Sequence, residues 1–521
     1  IMKLRKANLV LVVSIALVLS SCLGVAQTKT VQQSPNIIFI LTDDQGWTSV
    51  SHTADPNIPE SKSDYYETPN MDKLAKKGML FTQGYAPNPI CSPTRNSMMF
   101  GQNAARHIYN KDADWYKKTS DWLTIPRAIK KTNPNYKTAH FGKWHIAMHP
   151  KDAGFDYDEG MTSNAGGEIY GDGFLNFKDY SKPLEKYLNE NKVENPTNMS
   201  KSGKGSYYWS NKNPKDIFGI TSRAKKYMKG SISEGKPFYV QLSHFAAHVS
   251  LVSKKETYKY FKNKPKGKRH SNPEFAAMLK DLDSGVGIIL DFVKEQGIGD
   301  NTYIFLMGDN GGTIALHQLG ILDKNKKLVD GKYSKINNRN FPLRDGKHSF
   351  YEGGLRVPFM ASGPNIKAGR VSETLVSGLD FLPTFAELAG YKDEFPDEID
   401  GGSLVPLLHN ENVEIVERKS ESFIFHQSSH RPPRTAIRKG DFKLIKYWSK
   451  ERKHKSIPKI ELFNLLDDIG ENINLAEKKP DKVKELETEL VQFLNKTNAE
   501  IGVRDIDGAF YRLKEDLVKS K

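Results

Sequence analysis

Three apolar runs interrupt an otherwise mixed pattern of hydrophobic and polar positions. Asn36-Ile37-Ile38-Phe39-Ile40-Leu41 leads into Thr42-Asp43-Asp44, and Tyr303-Ile304-Phe305-Leu306-Met307 leads into Gly308-Asp309-Asn310-Gly311-Gly312. Phe238-Tyr239-Val240-Gln241-Leu242 ends just before His244 and His248. A short apolar run closed by polar and glycine signals predicts a strand buried on both faces, as in a parallel sheet. Helical patterns at Met71 to Lys77 and Phe275 to Lys294 alternate with these strands. The predicted class is therefore α/β, a mainly parallel central sheet flanked by helices. Such sheets take ligands beyond the carboxyl ends of their strands, where all three polar clusters fall.

Past Asp400-Gly401-Gly402-Ser403-Leu404 the pattern changes. Arg434 to Tyr447 alternates about a Lys439-Gly440 turn, Ile460 to Leu465 reads as another short strand, and Lys482 to Lys496 is amphipathic. These predict a smaller α+β C-terminal subdomain, residues 411–521, after a larger N-terminal domain at 36–410. Residues 151–215 are rich in Gly, Asn, Tyr and Lys without clean periodicity, which predicts a surface excursion. Residues 254–270 carry eight Lys or Arg among aromatics, a solvated loop or a face turned to a glycan.

At the start, Lys3, Arg5 and Lys6 precede an apolar run from Leu9 to Leu19 and then Ser20-Ser21-Cys22. A charged segment before a short apolar one predicts a secretory leader, too short to span a bilayer as a mature helix. Leu19-Ser20-Ser21-Cys22 resembles a bacterial lipobox, so the reading is a lipoprotein signal at 1–21, lipidation of Cys22 and a polar tether at 22–35; simple cleavage is the alternative. The expected place is outside the cytoplasm, in the periplasm or at the outer membrane, touching the membrane only through that lipid.

Composition narrows the function. With 521 residues, 38% hydrophobic and 27% charged, the chain is neither disordered nor collagen-like. Two cysteines exclude a disulfide framework and a cysteine zinc site. A net charge of +15 favours a polyanionic partner. Export makes nucleic acid an unsuitable one and leaves a sulfated or uronic polysaccharide.

The most informative stretch is Cys91-Ser92-Pro93-Thr94-Arg95-Asn96-Ser97-Met98-Met99-Phe100-Gly101. Ser92 as cap and Pro93 as first helical residue predict a helix starting just after Cys91, its positive end aimed at that side chain, with Arg95 one turn in. Cys-x-Pro-x-Arg resembles the signature of the type I, formylglycine-dependent sulfatases of the alkaline phosphatase-like superfamily. Further segments resemble that family in order: Asn36 to Asp44, Gly142-Lys143-Trp144-His145, Ala246-Ala247-His248, Gly308-Asp309-Asn310-Gly311 and Gly346-Lys347 with Tyr351-Glu352-Gly353-Gly354-Leu355-Arg356-Val357-Pro358. Asp400 to Leu404, Ile437 to Leu444 and Glu461 to Leu465 resemble its C-terminal part, so the likeness covers residues 35 to 500.

The resemblance implies a sulfuric ester hydrolase in which a maturation enzyme converts Cys91 to formylglycine. Asp43, Asp44, Asp309 and Asn310, with position 91, would hold one calcium ion; oxygen ligands favour calcium or magnesium over zinc. Lys143 and Lys347 would bind the sulfate, and Arg95 the formylglycine hydroxyl. His145, which an extended segment would turn to the same side as Lys143, would orient the hydrate and take its proton. His248 would donate to the leaving alcohol. Ala247 and Ser250 stand where the family often has proline, which leaves His244 as the alternative acid and a substrate contact. Arg106, His107, His317, His426, His430 and Arg431 lie in loops that could reach the sugar, His317 foremost. The expected substrate is a sulfated polysaccharide or its oligosaccharides, of algal type such as ulvan or carrageenan. The alternatives are a phosphonate or phosphate diester hydrolase of the same fold and a catalytically silent lipoprotein that binds sulfated glycan.

Overall fold

The computed structural model describes residues 34–107, 121–163, 207–209, 212–249, 251–314, 339–428, 433–448, 459–504 and 510–512. The expected leader, Cys22, most of the 151–215 excursion, His317, His430 and Arg431 lie outside the described residues. The central sheet has seven strands: β1 (Asn36–Thr42), β2 (Met79–Phe81), β3 (Lys137–Gly142), β4 (Phe238–Ser243), β5 (Thr302–Gly308), β6 (Phe359–Ser362) and β7 (Arg370–Ser372). Their order is β7-β2-β6-β5-β1-β4-β3. The β5-β1-β4-β3 block is parallel, and β6 alone runs against its neighbours.

Every residue of β1 is buried, and its alternation explains why it reads as one apolar run. Ile38 and Ile40 face a core shared with α1 (Pro69–Lys77), α4 (Ile217–Ser233) and α6 (Pro273–Glu295). Ile37, Phe39 and Leu41 face a second core shared with α2 (Cys91–Phe100), α3 (Ile125–Thr132) and α7 (Phe381–Leu388). Each large aliphatic side chain so buried contributes about 1.5–3 kcal/mol. Asn272 caps α6 by accepting from the Phe275 N–H at 2.8 Å. The stretch 254–270 is not simply a loop: it contains α5 (Lys255–Asn263), which buries Tyr258 and Phe261.

Four antiparallel strands form the C-terminal sheet: β8 (Phe423–Gln427), β9 (Arg434–Lys439), β10 (Phe442–Tyr447) and β11 (Ile460–Asn464). Its two faces follow the expected alternation. Ile437, Leu444 and Leu462 pack on α8 (Pro480–Lys496), while Ala436, Ile445 and Phe463 pack on Tyr85, Phe350 and Leu355. No helix among the described residues is long and apolar enough to cross a membrane.

Candidate active site

The carboxyl ends of the parallel strands lie level, and that register assembles the site. Thr42 pairs with Gly308, Leu41 with Ser243, and Ser243 with Gly142. Asp43, Asp309 and Lys143 therefore leave the sheet at one edge, and the Asp309 N–H donates to the Thr42 carbonyl at 2.8 Å. Gly142 has φ +86°, and a Cβ there would lie 2.2 Å from the Ser243 carbonyl, so only glycine lets β3 pass β4 into Lys143. Asp44 adopts left-handed φ 54°, a conformation held only by its surroundings. Its N–H donates to Asp309 Oδ1 at 3.1 Å, and its carbonyl accepts from Arg339 Nη2 at 2.6 Å.

The helix expected to begin after Cys91 begins at Cys91 itself, capped by the extended backbone of Ile90 and not by the Ser92 side chain. Pro93 sits in the first turn, where N–H groups have no helical partner and a missing one costs little. Cys91 Sγ lies 3.3 Å from Asp43 Oδ1, 3.8 Å from Asp44 Oδ1 and 3.3 Å from Lys347 Nζ. Ligand atoms of Asp43, Asp44, Cys91 and Asp309 all fall within 4.8 Å of one another. Lys143 Nζ pairs with Asp43, and Lys347 Nζ is 2.6 Å from Asp44 Oδ1. Arg95, expected to hold the position-91 hydroxyl, grips Asp309 Oδ2 through Nε at 3.0 Å and Nη2 at 2.9 Å.

Three buried carboxylates thus face three cations, buried Arg95 and Lys143 and partly buried Lys347, and the formal charges cancel. Burial raises the Asp43 carboxyl, but Lys143, His248, Arg95 and Lys347 together hold it well below the usual range. The same contest brings Asp44 down to about 2, with Lys347 the main counterweight to burial. Asp309 goes the other way: burial and then Asp43 push it up to about 6 against Arg95 and Lys143. Burial, Asp309 and Asp43 push the Cys91 thiol well up. Asn310 Nδ2 donates to Asp44 Oδ1 at 2.8 Å and to the Gly311 carbonyl at 3.0 Å. That leaves its buried Oδ1 without a hydrogen-bond partner among the described residues. An orphaned amide oxygen beside three carboxylates is a hard-oxygen donor set, and the residues present fit one cation of the calcium or magnesium class.

Two histidines reach this cluster. His145 does not lie in an extended segment: it has φ 55°, and its N–H donates to the Thr162 carbonyl at 2.8 Å. Burial and then Lys143 and Arg95 lower its ring to about 3, so it is a neutral base near neutral pH. His248 Nδ1 donates to the Val249 carbonyl at 2.5 Å, which turns Nε2 toward Asp44 Oδ2, 3.8 Å away. Asp44, Cys91 and His248 also bring ligand atoms within 4.8 Å of one another. Burial lowers the His248 ring below its ordinary value, although Asp44 and Asp43 oppose the shift.

His244, expected as a substrate contact and alternative acid, is not brought to the site. Its N–H is tied to the Leu41 carbonyl at 2.9 Å, and its ring lies under α6, 3.8 Å from the Cβ position of Gly285. It is 1% exposed, and burial alone lowers it to about 4. Three residues expected in loops as sugar contacts are also engaged elsewhere, and His426 lies within strand β8, not in a loop. Arg106 is bidentate on Asp400, both contacts at 2.8 Å. His426 bonds Thr435 Oγ1 and the Glu500 carbonyl at 2.8 Å each, and His107 is buried against Phe100 and Trp122.

The sequence reading missed Arg339 and Thr313. Thr313 Oγ1 donates to Asp44 Oδ2 at 3.1 Å, and its place just after Gly311-Gly312 could have signalled it. Arg339 is fully buried, with its guanidinium 4.1 Å from the Phe275 ring centroid and packed on Gly312. Its Nε and Nη1 have no partner among the described residues. Nothing in the aperiodic Asn337-Asn338-Arg339-Asn340 announces it.

Level strand ends that gather acids, bases and one cysteine around a point mark an enzyme for anionic esters on an alkaline phosphatase-like fold. More narrowly, the chain belongs to the sulfatase family, whose model matches residues 35–391. The model of the N-sulphoglucosamine sulphohydrolase C-terminal region matches residues 344–500. A sulfatase of Formosa agariphila is 29% identical over 94% of this chain and 94% of its own. N-acetylgalactosamine-6-sulfatase of Rattus norvegicus is 27% identical over 72% of this chain, which spans 66% of that relative. Among solved structures, Ps i-CgsB in complex with k-i-k-neocarrahexaose is 25% identical with a TM-score of 0.64, covering 89% of this chain and 93% of that one.

Proposed function

We propose that this sulfatase removes sulfate from an algal-type sulfated polysaccharide or its oligosaccharides, using formylglycine made from Cys91 and one calcium ion. The observation that carries the reading is the convergence of Asp43, Asp44, Asp309, Arg95, Lys143 and Lys347 on Cys91 at the start of α2. The likeness to a structure holding a carrageenan-type oligosaccharide supports the glycan class.

Asp43, Asp44, Asp309 and Asn310 Oδ1 would hold the cation, whose positive charge would draw a sulfate ester to a site that is otherwise neutral. Formylglycine at position 91 would supply the attacking hydroxyl. Lys143 and Lys347 are the mobile part of the charge balance: each ammonium can exchange its carboxylate for a sulfate oxygen once the cation takes that carboxylate over. Arg95 keeps Asp309 oriented. Neutral His145 accepts a proton at position 91. His248, with Nδ1 fixed by Val249, presents Nε2 to protonate the departing sugar oxygen, and this acid role requires the charged ring. The leader-like segment ending at Cys22 supports an exported, lipid-anchored protein.

The test is sulfate release from carrageenan and ulvan oligosaccharides by the matured enzyme, with mass spectrometry of the Cys91 peptide. The reading expects release together with a peptide lighter by one sulfur and two hydrogens and heavier by one oxygen. Active enzyme carrying only unmodified Cys91 would sink the mechanism, and release from glycosaminoglycans alone would sink the algal assignment.

A further inference from the structure

The basic stretch 254–270 takes no part in the site described above, yet six of its eight basic side chains divide into two sets. Lys264 and Arg269 turn inward as ties. Lys264 Nζ meets Glu67 Oε1 at 2.7 Å and the Tyr65 carbonyl at 2.8 Å. Arg269 Nη2 meets the Lys62 carbonyl at 3.0 Å, and its Nε is 3.9 Å from Asp64. These contacts occupy two of the nearby acids, Glu67 and Asp64. Lys259, Lys262, Lys266 and Lys268 turn outward and are exposed, and none has an ion-pair partner among the described residues. Lys262 Nζ lies 5.8 Å from the Tyr258 ring centroid, and Lys262 and Lys266 both act electrostatically on the carboxyl of Glu274.

Among these lysines stands Tyr260, 52% exposed. An exposed aromatic ring is ordinarily free to turn, but here the hydroxyl is fixed on Glu67 Oε1 at 2.8 Å and the ring is braced edge-on against Phe261, centroids 5.0 Å apart. A flat apolar face held in place amid cations suits a sulfated sugar: the C–H face of the ring stacks and the sulfates pair with ammonium groups. The apolar residues of α5, Tyr258 and Phe261, are turned into the core, so the helix has no face to insert into a lipid surface.

We propose that Lys259, Lys262, Lys266, Lys268 and Tyr260 form a second, non-catalytic binding surface for the sulfated polysaccharide, an anchor for a polymer whose other end is being cleaved. This rests on the sulfated-glycan reading above. Six residues lie between His248 and Lys255 at the start of α5, a backbone span of at most about 25 Å, a distance that a chain of several sugars can cover. The surface confers preference for polymer over short esters and does not enter the chemistry.

The test compares the matured enzyme with a Lys259→Ser, Lys262→Ser, Lys266→Ser, Lys268→Ser variant and with Tyr260→Ala. The substitutions lie on exposed side chains outside the catalytic cluster. Binding is measured by affinity electrophoresis in iota-carrageenan, desulfated iota-carrageenan and duplex DNA, and by sedimentation with phosphatidylglycerol vesicles, in a Cys91→Ala background so that polymer is not consumed. The quadruple variant should bind iota-carrageenan about tenfold more weakly and lose about three from the slope of log affinity against log salt. It should keep the turnover of an aryl sulfate, while KM for the polymer rises. Tyr260→Ala should weaken binding and leave the salt slope alone. Unchanged polymer binding in the quadruple variant overturns the proposal. So does vesicle or DNA binding as tight as that of the sulfated polymer, which would make the surface a membrane or general polyanion contact. Failure to cleave any sulfate ester would instead strike the functional reading, and the binding comparison would still stand by itself.

Discussion

Asp309 is the carboxylate of the cluster that resists ionisation, and this has a sign that can be checked. Its folded value of about 6 lies above the ordinary 3.8, so without a cation it contributes stability below about 4 that is lost as pH rises through 6. A metal binds only the ionised form. Calcium affinity should therefore fall as pH is lowered through about 6, with uptake of the ion releasing a proton; calorimetry in buffers of different ionisation enthalpy would reveal it, and a pH-independent affinity between 5 and 7 would contradict it. Arg339 acts on the neighbouring candidate ligand, through the carbonyl of strained Asp44. Arg339→Met should weaken calcium binding at least about tenfold by loosening that backbone, read directly from titration of the protein with the ion. At His248 the leaving-group argument applies. His248→Ala should reduce sugar sulfate hydrolysis by about 100-fold or more and aryl sulfate hydrolysis far less, because only a poor leaving group needs the proton; equal losses on both would remove His248 from the acid role.

Between elements, the decisive information is register. The apolar runs of β1, β4 and β5 and the polar residues at their ends were legible because a fully buried parallel strand has a compositional signature. The C-terminal hairpin was legible from alternation and a Lys439-Gly440 turn. Which side of β4 each histidine would take was not legible, since the turn after Ser243 is set by pairing of Asp43 with Ala246 and Ala247 across 200 residues of chain. Nor was the contact that clamps the two sheets together. The Lys443 ammonium on β10 lies between Glu352 at 2.9 Å and Glu471 at 2.8 Å, all fully buried. Glu352 opens the turn whose Gly354 carbonyl accepts from the Gly311 N–H at 2.9 Å, so the clamp braces the Asp309–Gly311 loop. Lys443→Met would leave Glu471 without its counter-ion and Glu352 with Arg356 as its close partner, 2.8 Å away. A loss of about 3–5 kcal/mol of unfolding free energy is expected at pH 8. Burial already pushes Glu471 up to about 7, so the loss should shrink as pH falls below 7 and that group takes a proton. Denaturant titration at pH 6 and 8 measures both; an equal loss at the two values would contradict the assignment.

Across the whole molecule, the site draws on Asp43, Cys91, Lys143, His248, Asp309 and Lys347, so it exists only when the central sheet is complete. Under the proposed mechanism, a chain made without a maturation enzyme should fold and bind calcium as the matured protein does, yet release sulfate at less than about one per cent of its rate, since a thiol lacks the second hydroxyl from which the sulfated formylglycine hydrate expels its sulfate. Parallel melting curves with and without calcium, beside a turnover assay, would check this. The burial of Cys91 adds a constraint of time. Only 2% of that residue is exposed in the folded state, behind Lys347 and between two carboxylates. An enzyme that must grasp this thiol cannot do so after β5 has paired with β1. Under the proposed maturation, oxidation and folding would therefore compete for the same newly made chain, and any substitution that speeds closure of the sheet would lower the yield of active molecules without altering a single residue of the site.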